Sequence, residues 1–238
     1  MQNPINIHLL SRAVKPQTFN RLWQHASGNH NSIKPHEISS LRALADGLMT
    51  CGTKIQHMDG FFFGYTIPQI SKEFDLLKFT ECNVLDIELK SQTVPLESII
   101  SQLQQNRYYL SHLQKETALF TVVTDSMNCY TLDKHGRLRQ VPLSKLAEHI
   151  VGMGVSYLSG IEGMFRPSRF LVSPLNEPTQ FIRKEYFLTG AQEAIARDVL
   201  RQINKPAPFR FISLVGRPGS GKTLLLYDIA REVSRERT

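Results

Sequence analysis

The sequence predicts an α/β protein in two parts, and three observations carry that reading. Helix-period and strand-period patterns follow one another from about residue 36, in the order helix, three strands, helix, strand, hairpin. Periodicity fades between about 154 and 187. An apolar strand-like run, a glycine-rich loop and a helix pattern then close the chain.

The first helix covers about 36–50, "HEISSLRALADGLMT", where Ile38, Leu41, Leu44, Ala45 and Leu48 recur at helical spacing. Three strand-like runs come next: "GFFFGYTI" (60–67), "EFDLLKF" (73–79) and "NVLDIELK" (83–90). Pro95 and Glu97 start a helix over about 95–113, "PLESIISQLQQNRYYLSHL". Strands return at "ALFTVVT" (118–124) and "MNCYTLD" (127–132), and "DKHG" turns into "RLRQV". The stretch "FRPSRFLVSPLNEPTQF" has three prolines and reads as an extended connector. A helix over about 190–203 precedes an expected buried strand, "FRFISLV" (209–215), and a final helix. The expected domains are 1–153, a connector 154–187, and 188–238.

Bulk properties agree with a basic protein that has a real core. The 238 residues are 41% hydrophobic and 9% aromatic, with a net charge of +7. That charge favours a polyanionic partner. Cys51, Cys82 and Cys129 are scattered and odd in number, which argues against a disulfide framework or a zinc site. The start, "MQNPINIHLLSRAV", has no signal-peptide pattern, and no run reaches the length of a membrane span. The expectation is a cytoplasmic protein that does not enter a membrane.

The loop "GRPGSGKT", Gly216 to Thr223, fits a phosphate-binding loop. Gly216, Gly219 and Gly221 let backbone N–H groups approach phosphate oxygens. Lys222 supplies charge to the outer phosphates, and the Thr223 hydroxyl can ligate Mg²⁺. The following helix adds the positive end of its dipole. Upstream, "FLTGAQEAI" resembles the Leu-Thr-x-x-Gln element of superfamily 1 helicases, which implies that Gln192 reads an adenine edge of ATP. The motifs that complete such an ATPase are missing from residues 188–238, so the expectation is a truncated ATPase domain that needs a longer chain to hydrolyse ATP.

The strands carry a second chemistry. Alternation puts Asp75, Leu77 and Phe79 on one face of their strand. Asp86, Glu88 and Lys90 share one face of the next, so strand pairing could set Asp75 beside Glu88. A carboxylate on an apolar face is costly unless something pairs with it. Two carboxylates holding a divalent metal beside a lysine suit phosphodiester cleavage.

Asp75, then twelve residues, then Glu88-Leu89-Lys90 resembles the PD-(D/E)XK nuclease superfamily, and the element order over about 36–132 is that family's αβββαβ core. The chain departs from the motif at Phe74, where the family has proline. The resemblance implies a restriction-endonuclease-like fold, Mg²⁺ or Mn²⁺ at Asp75 and Glu88, and Lys90 acting on the attacking water. It implies a glutamate from the first helix, Glu37, at the metal. It also implies a Gln-x-x-x-Tyr element on the second helix; Gln105 with Tyr109 is favoured over Gln104 with Tyr108, and Gln102 lies on nearly the same face.

The whole then resembles bacterial nuclease–helicase fusions that process DNA or act against foreign DNA, with DNA favoured over RNA. Such nucleases often need two active sites to cut both strands, so a homo-oligomer is one arrangement the resemblance allows, and the sequence itself does not give the oligomeric state. The alternatives are a catalytically silent nucleic-acid-binding module and an ATP-gated regulator of a protein partner.

Overall fold

A computed structural model of the chain describes all residues except 1, 29–30, 68–71, 155–159, 166–171, 185, 206–208, 210, 218 and 237–238. The described residues form a mixed α/β protein with eight α-helices and a six-stranded sheet. It divides into two compact units. The first comprises Met1–Thr66 and Glu73–Phe165, the second Ile67–Lys72 and Arg166–Thr238.

In the first unit, α1 (Ile7–Ser11), α2 (Pro16–Ser27) and α3 (Pro35–Thr50) precede β1 (Phe61–Ile67), β2 (Lys72–Phe79) and β3 (Asn83–Lys90). Then come α4 (Leu96–Ser111), β4 (Glu116–Val123), β5 (Asn128–Leu132), β6 (Leu138–Val141) and α5 (Leu143–Met153). The sheet runs β1-β2-β3-β4-β5-β6. Helix α4 crosses between β3 and β4, which pair in parallel. The β2–β3, β4–β5 and β5–β6 pairs are antiparallel. Only a crossover element can return the chain to start a parallel neighbour, and α4 is that element.

Helix α3 forms because Pro35 fits its first position and Glu37 caps it, accepting from the Lys34 N–H at 3.1 Å. Its Leu41, Leu44 and Leu48 pack with Leu146 and Ile150 of α5, and with Leu76, Leu85, Ile87 and Phe120 of the sheet. That is one face of β3. Alternation turns Asp86 and Glu88 to the other face, where α4 buries Ile99, Leu103, Asn106 and Leu110. The unit therefore has three layers, with the acidic positions of β3 beneath α4. Lone Trp23 packs as expected, its indole N–H donating to the Phe63 carbonyl at 2.9 Å.

The second unit holds α6 (Pro178–Ile182), α7 (Gly190–Ile203) and α8 (Lys222–Glu236). Ala196 and Val199 of α7 pack on Leu225 and Ile229 of α8. The stretch read as an extended connector contributes Val172, Phe181 and Tyr186 to a small core with Leu224; residues 155–159 and 166–171 of it lie outside the described residues. Arg231 of α8 donates to the Phe181 carbonyl at 3.0 Å and to Asp228 at 2.7 Å, and the Tyr186 hydroxyl donates to the same Asp228 oxygen.

One expectation fails here. Residues 211–217 form no strand, and Phe211 is 98% and Val215 93% exposed. A strand needs a neighbour to take its backbone N–H and C=O groups. All six strands of the described residues lie between Phe61 and Val141, so an apolar run without a paired edge stays irregular.

Candidate active site

Register brings the two predicted acids together. Leu76 pairs with Ile87 and Leu77 with Asp86 across β2 and β3. One step along, that antiparallel register sets Asp75 opposite Glu88, on the same face. The two carboxyl groups are close enough to interact directly. Asp75 Oδ2 also accepts from the Leu89 N–H at 2.7 Å. Burial first, and the Glu88 charge second, push the Asp75 carboxyl up to about 8; the Leu89 N–H and the Lys90 ammonium pull the other way.

Both acids line a cleft of about 470 Å³ at the end of β3. Lys90 lines it too, two residues beyond Glu88 on the same face of the strand. Among the described residues the Lys90 ammonium makes no hydrogen bond or ion pair. The structure thus collects the predicted Asp75, Glu88 and Lys90 in one cavity.

The other predicted residues of this site divide. Glu37 lines the cleft, but its carboxylate caps α3 and its second oxygen lies 3.8 Å from His36 Nε2. Among the described residues no three His, Cys, Asp or Glu side chains converge as a metal-binding group. Asp75 and Glu88 interact directly, and Glu37 lines the same cleft. Gln105 does not line the cleft. Gln102 does, and its side-chain amide donates to Glu88 Oε2. Helix α4 buries Ile99, Leu103, Asn106, Tyr109 and Leu110, a face turned more toward Gln102 than toward Gln105.

Two residues went unnoticed in the sequence. Asn106 is fully buried and its amide reaches both Asp86 Oδ2 (2.6 Å) and Glu88 Oε1 (2.7 Å). Its i, i+4 spacing from Gln102 was the available signal. Glu73, two residues before Asp75, is a further acid on the cleft wall.

In the second unit the glycine-rich loop opens α8. Gly219 and Gly221 take φ of 76° and 75°, the left-handed region that a side chain resists. The Lys222 ammonium donates to the Gly216 and Arg217 carbonyls at 2.9 and 2.8 Å. Thr223 is the second residue of α8. Pro218 lies outside the described residues. Gln192 meets this loop. Its amide donates to the Ser220 carbonyl at 3.1 Å, and a Cβ on Gly221 would lie 2.5 Å from that nitrogen. Its carbonyl accepts from the Thr189 N–H at 2.9 Å, closing a capping box at the start of α7.

Among the described residues no helix is long and apolar enough to cross a membrane. Comparison with protein-family models, curated proteins and solved structures returned no match for this chain.

Proposed function

We propose that the first unit is a metal-dependent nuclease domain of the restriction-endonuclease-like kind, hydrolysing phosphodiester bonds of nucleic acid, with DNA favoured. The observation that carries this reading is the pairing of Asp75 with Glu88 across β2 and β3, with Lys90 in the same cleft. The donor set fits a divalent cation. Two carboxylates forced together need a positive charge between them, and without one they share a proton.

Asp75 and Glu88 would hold Mg²⁺ or Mn²⁺, with Glu37 and Glu73 further acids of the same cleft. A cation bound there supplies charge that polarises a phosphate and lowers the pKa of water. Lys90, whose ammonium makes no hydrogen bond or ion pair among the described residues, would orient the attacking water and offset negative charge growing on the phosphate oxygens. Gln102 would keep Glu88 turned toward the cleft. The net charge of +7 favours a polyanionic substrate.

The second unit is read as the start of a helicase-like ATPase, which would bind ATP through Gly216, Gly219, Gly221, Lys222 and Thr223. The nearness of Gln192 to this loop supports that reading. On this view the chain belongs to a nuclease–helicase fusion acting in DNA processing or antiviral defence.

The test is cleavage of labelled single-stranded, linear and circular DNA, and of RNA, with Mg²⁺ or Mn²⁺ against EDTA. Cleavage is expected only with metal, and Glu88→Ala and Lys90→Ala are each expected to lower the rate by about 10²-fold or more. Cleavage that survives EDTA or both substitutions overturns the reading. Metal binding without cleavage in the chain, alone or with ATP, would favour a silent binding module.

A further inference from the structure

Glu88 is buried, and both of its oxygens are held from α4. Gln102 donates to Oε2, and Asn106 Nδ2 donates to Oε1 at 2.7 Å. Asn106 is itself completely buried, and the same nitrogen donates to Asp86 Oδ2 at 2.6 Å. A primary amide nitrogen has two hydrogens, and here each meets a different carboxylate. Asp86 and Glu88 are alternate residues of β3, so both face α4, and Asn106 comes down between them.

This arrangement has one stable sense. With both acids ionised, as a bound cation would keep them, flipping the amide would set its carbonyl oxygen against two carboxylate oxygens, acceptor against acceptor. The two acids therefore fix the amide, and the amide fixes Glu88. Packing does not require it. The neighbours Leu103 and Leu110 are apolar, and an apolar residue at 106 with apolar partners on β3 would fill the same space without desolvating two acids and an amide.

We infer that Asn106 is a positioning residue: it holds Glu88 in the orientation from which Glu88 and Asp75 take a divalent cation, and Asp86 orients Asn106. This rests on the metal-dependent reading of the cleft. Outer partners that orient a ligating carboxylate commonly set metal affinity, by about 10–100-fold.

The experiment titrates Mn²⁺ alone into the full chain, without nucleic acid, and follows binding by electron paramagnetic resonance. The samples are the unsubstituted protein, Asn106→Ala, Asp86→Asn and Leu103→Ala, with folding checked by circular dichroism. Asn106→Ala is expected to weaken Mn²⁺ binding about 10–100-fold. Asp86→Asn is expected to weaken it less, because the new carbonyl still accepts from Asn106. Leu103→Ala, a cavity in the same helix, is expected to lower the melting temperature and leave Mn²⁺ affinity unchanged.

Equal affinity in Asn106→Ala and the unsubstituted protein overturns the inference and leaves the metal reading standing. A loss in Leu103→Ala as large as in Asn106→Ala also overturns it, since packing alone would then explain the effect. If Asn106→Ala does not fold, Asp86→Asn decides: unchanged affinity overturns the inference. No Mn²⁺ binding by the unsubstituted protein overturns both.

Discussion

Asp75 makes the acid pair visible to a pH titration. In an unfolded chain its carboxyl loses its proton near 4, whereas in the folded protein burial and Glu88 hold it up to about 8. Between those values the folded chain keeps a proton that the unfolded chain has released. The metal-free protein therefore loses stability as pH rises through this window, with a slope of up to ~1.4 kcal/mol per pH unit. Urea unfolding across pH 4–8 measures it. Asp75→Asn is expected to flatten the slope and to stabilise the metal-free protein at neutral pH. Millimolar Mn²⁺ is expected to offset the loss, because a cation takes the place of the proton. At this scale Asp75, Glu88 and Lys90 were legible, since period-2 alternation alone puts side chains on faces. Asn106 was not. An asparagine in a helix is ordinarily solvated, and only the acids beneath α4 make this one different.

The elements of the first unit followed from pattern. Expected strands at 60–67, 73–79 and 83–90 became Phe61–Ile67, Lys72–Phe79 and Asn83–Lys90. The parallel β3–β4 pairing follows from the length of α4. Gln102 rather than the favoured Gln105 lines the cleft, because the buried face of α4, with Asn106 and Tyr109 beside the leucines, is turned toward Gln102. In the second unit, α8 is tied to the Phe181–Tyr186 segment by contacts that sequence spacing does not announce. Arg231 lies 5.1 Å from the centroid of the Phe181 ring, which stacks on Tyr186 at 5.5 Å. Arg231→Ala removes its hydrogen bonds to Asp228 and to the Phe181 carbonyl, and Tyr186 still donates to Asp228. The expected cost is about 1–3 kcal/mol, read as a lower urea midpoint for the second unit.

On the scale of the whole molecule, the run 209–215 is where local pattern and long-range pairing disagree. Its apolar residues have strand character, yet a strand is a property of two segments. Phe211 and Val215 stand in solvent. Replacing both by serine is expected to change stability by less than about 0.5 kcal/mol. The same change is expected to reduce binding of an apolar dye and concentration-dependent association. A cooperative loss of several kcal/mol would show that the run is packed after all.

The place of β3 in the sheet has a further consequence. It has a strand on each side, α3 and α5 over one face and α4 over the other. Backbone amides in such a position exchange with deuterium only when the unit opens globally, while those of a sheet edge or an unpaired run exchange through local fraying. The amides of Leu85–Leu89 are therefore expected to be the slow clock of the first unit and those of β6 its fast one, with residues 211–217 fast in the second unit. On the proposed nuclease reading, acids that ride on the slowest-exchanging strand keep activity on warming until the unit melts, so inactivation and unfolding are expected to fall on one curve.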